Sequence, residues 1–150
     1  MSKVLLIAPA YGNLYGGANI RRLKWGFIPY GLASIGGKLK SEGHEVKIVD
    51  ATCSVSNWCE IEQIIKRDSP HYLGVSITTP QAPGSLKICE ITKKIKPDYI
   101  TVVGGPHVSA LPEEMLSDKN IDIAVVGELD YVQFALLTPL PGTEIWEVDL

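Results

Sequence analysis

Five short apolar runs, rich in β-branched residues, recur along this chain with helix-forming stretches between them. They occupy residues 4–8, 45–49, 72–77, 99–103 and 123–126. Each is nearly continuous in its hydrophobicity, as expected of strands covered on both faces, and that pattern belongs to parallel sheets. The stretches between them read as helices. Residues 29–41 open on Pro29 and run to Gly43 as a C-cap. Residues 58–67 place Ile61, Ile64 and Ile65 on one side, and residues 85–95 carry Leu86 and Cys89 and stop before Pro97. Residues 112–116 hold Glu113 and Glu114 in a first turn, where the helix dipole favours them. Strand and helix in alternation predict an α/β fold. Five strands of this length suit a flavodoxin-like, Rossmann-like doubly wound sheet of order 2-1-3-4-5.

A chain of 150 residues, 45% apolar and 21% charged, is one domain with enough apolar surface for a core. The net charge of −3 argues against nucleic acid as a partner. The first apolar run is too short to span a membrane and lacks the flanks of a signal peptide. Cys53, Cys59 and Cys89 fit no disulfide or zinc spacing, and their odd number suits a reducing, cytoplasmic setting.

Two regions break the alternation. Residues 9–27 form a long connection after the first strand, with Gly12, Gly16 and Gly17 among Tyr11, Tyr15 and Trp25; connections this long are commonly functional. At the other end, residues 131–137 read as a further strand, and Pro139, Pro141 and Gly142 forbid a helix behind it. Residues 1–130 are therefore expected to be the domain and 131–150 a separate tail. Without a closing helix one sheet face stays partly uncovered. Val132, Phe134, Leu136 and Leu137 are then expected to add to the sheet edge or pair with a second copy, giving a homodimer or poor solubility.

Open α/β sheets take their ligands at the carboxyl ends of the strands, where the strand order reverses. Here that point lies between strands one and three, served by the loops at 9–27, 78–84 and 105–111. Ser76, Thr78 and Thr79 bring hydroxyls that can meet an amide-rich or phosphate-bearing ligand. Gly104 and Gly105 leave backbone bare where a bulky ligand can lie on it. Each also has a plainer reading, the hydroxyls as caps and the glycines as a tight turn. Pro106, His107, Gly127 and Glu128 fall on the same edge, as do Tyr11 and Gly12. His44 and His71 lie at the opposite edge and read as surface residues. Asp50 could take a ribose hydroxyl, but the glycines after strand one do not have dinucleotide spacing. No acidic pair follows strand one, which disfavours a receiver-type phosphorylation site. No nucleophile set can be assembled, so no catalytic residue and no metal ligand is assigned.

Ser76-x-Thr78 and Gly104-Gly105 resemble the second and third elements of the cobalamin-binding domain pattern. Pro29-Tyr30-Gly31-Leu32-Ala33-Ser34, Gly43-His44-Glu45-Val46, Gly104-Gly105-Pro106-His107 and Val125-Val126-Gly127-Glu128 resemble the N-terminal domain of cobalamin-dependent radical SAM proteins. The anaerobic magnesium-protoporphyrin cyclase-like group is the nearest type. The resemblance covers residues 3–130 and implies cobalamin as ligand, with its nucleotide tail between the loops of strands one and three. The first element of the pattern is missing, Ile28 standing where its histidine would fall, so no imidazole from that loop is expected on cobalt. The three cysteines lack the Cys-x-x-x-Cys-x-x-Cys spacing of the radical SAM core, so no 4Fe–4S cluster is expected. Residues 134–144 resemble a phrase from the far end of that core. The resemblance thus implies a binding domain with its catalytic middle missing, whose relatives are methyltransferases or cyclases. The alternative is a flavodoxin-like interaction or signalling domain that no longer binds cobalamin.

Overall fold

The computed structural model describes residues 1–10, 29–51 and 58–127. Tyr11, Gly12, Trp25, Ile28, Cys53, Glu128 and the whole of 131–150 lie outside the described residues. Within them, strands β1 (Lys3–Ala8), β2 (Glu45–Asp50), β3 (Tyr72–Ser76), β4 (Ile100–Gly104) and β5 (Ile123–Val125) form one sheet of order β2-β1-β3-β4-β5. Every pair is parallel. The expected fold class and strand order are those observed.

The helices are α1 (Tyr30–Ser41), α2 (Trp58–Asp68), α3 (Ala82–Ile95), α4 (Pro106–Ala110) and α5 (Pro112–Leu116). Two of them depart from the sequence reading. The helix expected over 85–95 starts three residues earlier and is preceded by a 3-10 turn, Thr79–Gln81. Pro80 and Pro83 hide this start, because proline is tolerated only in the first turn of a helix and otherwise reads as a breaker. The segment 105–111, taken as a loop, contains α4, whose first residue is Pro106.

Alternate residues along each strand point to opposite faces. Leu5, Ile7, Leu73, Val75 and Val103 face one side, where Ile61 and Ile65 of α2, Ile88 and Cys89 of α3, Val108 of α4 and Met115 of α5 bury against them. Burial and the charges of Asp118 and Asp122 push the Cys89 thiol up to about 12. On the other side Leu6 and Val46 pack with Leu32 of α1. Gly74 opposes Leu6 in the register, and a Cβ at Gly74 would come within 2.6 Å of the Leu6 side chain. The same register places Tyr72, Ile100, Val102, Ile123 and Val125 on this second face. α1 lies over β1 and β2, while Tyr72, Ile123 and Val125 are exposed.

The amino edge is braced by both histidines read as surface residues. His71 is exposed and His44 half-buried. The Ser2 N–H donates to His44 Nδ1 at 3.3 Å and the Lys3 N–H to His71 Nδ1 at 2.9 Å. Successive amides of a strand point to opposite neighbours, so one imidazole serves the β2 side of β1 and the other the β3 side. At the start of β5, Asp122 accepts from the Thr101 N–H and hydroxyl and pairs with Lys93. Burial raises its carboxyl, but the Lys93 bond and the two Thr101 bonds outweigh that, leaving it below its ordinary value.

Candidate functional site

At the carboxyl edge the ends of β1, β3 and β4 are tied together through the loop after β3. Ile77, fully buried, is the centre of the tie. Its N–H donates to Gly104 O at 2.7 Å, and its carbonyl accepts from the His107 N–H at 3.2 Å. Gly105 crosses between these bonds at φ +111°. A Cβ there would sit 2.8 Å from Ile77 O and 3.0 Å from Ile77 N, in a conformation that side chains rarely adopt. The bareness of Gly105 is thus required by the chain itself, through the approach of β3. Gly104 differs, since a Cβ would meet nothing closer than Val125 Cβ at 3.6 Å.

The hydroxyls divide into three situations. Ser76 pairs with Gly104 across the ladder and lies on the face covered by α1. It is half-buried, and its hydroxyl has no hydrogen-bond partner among the described residues. Thr78 donates its hydroxyl to Gln81 Oε1 at 2.8 Å. Thr79 Oγ1 lies 3.2 Å from Nδ1 of His107, whose ring is buried. His107 is the imidazole that the described residues bring to this edge, and it holds two loops together. Pro106 starts α4 and is exposed. Gly127 is fixed by Ser109, whose Oγ accepts the Gly127 N–H at 3.1 Å.

Gln81 and Ser109 were missed by the sequence reading. Gln81 is 7% exposed, and its Nε2 donates to the Pro9 carbonyl at 2.5 Å while its Oε1 accepts from the Thr78 N–H at 3.3 Å. It therefore spans the gap between the ends of β1 and β3. Thr78 and Gln81 stand three residues apart, the capping-box spacing, which is the signal that could have found the residue. Ser109 gives no comparable signal.

Ser76, Thr78, Thr79, Gly104, Gly105, Pro106, His107 and Gly127 thus come together on one edge; Tyr11, Gly12 and Glu128 fall outside the described residues. The edge presents neutral hydroxyls, bare backbone and one buried imidazole. That donor set fits a large, neutral, amide-bearing group such as a corrinoid. Among the described residues no cluster of His, Cys, Asp and Glu could hold a metal ion, and no helix is long and apolar enough to cross a membrane.

Comparison with known proteins identifies relatives of this chain. The chain is 34% identical over 101 residues to an uncharacterized methyltransferase of Pyrococcus horikoshii, covering 67% of this chain and 22% of that protein. It is 31% identical over 138 residues to the anaerobic magnesium-protoporphyrin IX monomethyl ester cyclase of Rubrivivax gelatinosus, covering 91% and 24%. It is 27% identical over 119 residues to the cytidylyl-2-hydroxyethylphosphonate methyltransferase of Streptomyces wedmorensis, covering 67% and 22%. The chain spans about a quarter of the length of these relatives. In fold it is similar to the non-phosphorylated receiver domain of HemR from Leptospira biflexa, with a TM-score of 0.56 at 11% identity over 91% of this chain and 90% of that one. That likeness shows the architecture alone. Residues 19–137 match the B12 binding domain family, and with most of the chain inside the match, this protein belongs to that family.

Proposed function

We propose that this chain binds cobalamin across the carboxyl edge of its sheet and does not catalyse by itself. The observation that carries the reading is the family match over residues 19–137, which spans the edge where Ser76, Thr78, Gly104 and His107 converge. When bound, cobalamin supplies methyl carriage or radical assistance; the protein supplies placement and surroundings. Ser76 offers a free hydroxyl, and Gly104 leaves the strand end beside it open. Gln81 joins Pro9 to Thr78 across the ends of the first and third strands. The nucleotide tail is taken to lie between the first and third strand loops, with Ser76 and Gly104 beside it.

The reactions for which the relatives are named lie, in this reading, in the three quarters of their length beyond the match. Cys89 is buried and Cys59 exposed, and in this reading the chain holds no iron–sulfur cluster. Anaerobic reconstitution followed by iron and sulfide analysis is expected to find no bound cluster, and near-stoichiometric iron would refute that.

The direct test is incubation with hydroxocobalamin, desalting and a visible spectrum. Retained corrinoid absorbance, weakened by Ser76→Val, is the expected result. Absence of corrinoid at saturating ligand would overturn the proposal and leave the interaction-domain reading. The receiver-like fold alone does not favour that reading, because a likeness at 11% identity carries the architecture and no role.

A further inference from the structure

We infer that Gln81 makes Thr78 a contact that can only accept, so that the ligand group lodged against Thr78 is a hydrogen-bond donor, a carboxamide N–H and not a phosphate or carboxylate oxygen. The inference deepens the cobalamin reading and rests on it.

The Pro9 carbonyl has no proton, so the Gln81 atom beside it is the amide nitrogen. The Thr78 backbone N–H has no lone pair to offer, so the Gln81 atom facing it is the amide oxygen. Two main-chain groups of opposite and fixed polarity thus orient the carboxamide from both ends. Thr78 Oγ1 lies 2.8 Å from that same oxygen. A carboxamide oxygen has nothing to donate, so the hydroxyl proton must point inward. Only lone pairs of Thr78 remain for a ligand.

Gln81 is buried, so reversing the arrangement has a cost: turning the hydroxyl outward leaves the buried oxygen with only the longer, 3.3 Å bond from the Thr78 N–H. A phosphate or carboxylate oxygen placed there would set acceptor against acceptor. Ser76 is unconstrained and serves either polarity. The edge therefore holds one fixed acceptor and one adaptable hydroxyl, a pairing suited to a ligand rimmed with amides.

The test uses the full chain with cobalamin and its monocarboxylate derivatives, in which one side-chain amide is hydrolysed. Dissociation constants come from spectral titration. Wild type is expected to bind at least one monocarboxylate about tenfold more weakly than cobalamin, as expected where a site loses its matched donor. Gln81→Met, which frees the Thr78 proton, is expected to reduce that ratio toward one. Thr78→Val, which keeps the Gln81–Pro9 bond, removes the acceptor and is expected to do the same, while Thr78→Ser preserves the ratio. Equal binding of every monocarboxylate by wild type, or discrimination that survives both Gln81→Met and Thr78→Val, would overturn the inference. Should wild type bind no corrinoid, the ligand reading fails by itself. The polarity is then read by NMR, as a slowly exchanging Thr78 hydroxyl proton close to the Gln81 side chain. A hydroxyl exchanging as fast as a free one overturns it.

Discussion

On one face of the sheet Leu5, Ile7, Leu73, Val75 and Val103 lie beneath α2, α3, α4 and α5; on the other, Leu6 and Val46 lie under α1, while Ile123 and Val125 are exposed. The strands are the same five, so the difference comes from the helices. The first face can be expected to hold most of the stability, because apolar burial scales with area removed from water. The second carries Ser76 and Gly104 at its upper rim, where we propose that the ligand is met. In that proposal, stability and ligand access are divided between opposite sides of one sheet.

The sharpest way to break this comparison is to truncate one apolar side chain on each side. Leu73→Ala, at a fully buried position, is expected to lower unfolding free energy by about 2–5 kcal/mol in denaturant titration. Val125→Ala, half-exposed on the other face, is expected to change it by less than about 0.5 kcal/mol. Comparable losses would mean the second face is as well covered as the first.

Gly105→Ala comes next, at about 1–3 kcal/mol, because its positive φ and the approach of Ile77 both oppose a side chain. Gly37→Ala on α1 is the matched control. It meets nothing within 4 Å and sits in a helix, so it is expected to raise stability by about 0.5–1 kcal/mol in the same titration.

Acid probes the junction of β5 with the sheet. The Asp122 carboxyl is held below its ordinary value, so its contribution is complete above the unfolded-state pKa of about 3.9 and fades as pH falls through the lower folded value. Asp122→Asn is expected to flatten the stability profile below about pH 4 relative to wild type. An unchanged slope in acid would show that Lys93 and Thr101 do not favour the charged form.

Thiol labelling gives the smallest readout. Exposed Cys59 is expected to react in the native protein and Cys89 only on unfolding, its thiol lying at about 12. Native labelling of Cys89, located by peptide mapping, would show the packed face opening. For the other face, light scattering of Val125→Lys against wild type tests whether exposed apolar residues drive association. We propose that they do, together with residues 131–150; a wild type that stays monomeric at high concentration would refute this.

The strand order was legible because five β-branched runs at regular spacing admit few alternatives. Ser76 and Gly104 could be placed at the carboxyl edge because strand ends can be counted. The two faces could not be told apart, since continuous apolar runs such as Val4-Leu5-Leu6-Ile7 carry no alternation to say which side is better covered. Pro80, Pro83 and Pro106 hid helical starts, as proline looks the same in a first turn and in a break. Gln81 was overlooked because a buried amide reveals itself only by what lies across the fold, here Pro9, 72 positions away.

The fit of Gly105 against Ile77 bears on how such domains are sorted by descent. A glycine held by its own neighbouring strand is inherited with the architecture, whatever becomes of the cofactor. Lineages that abandon cobalamin should keep Gly105 long after Ser76 and Thr78 have drifted. Gly105 then marks common ancestry, and the hydroxyls record whether the ligand is still in use.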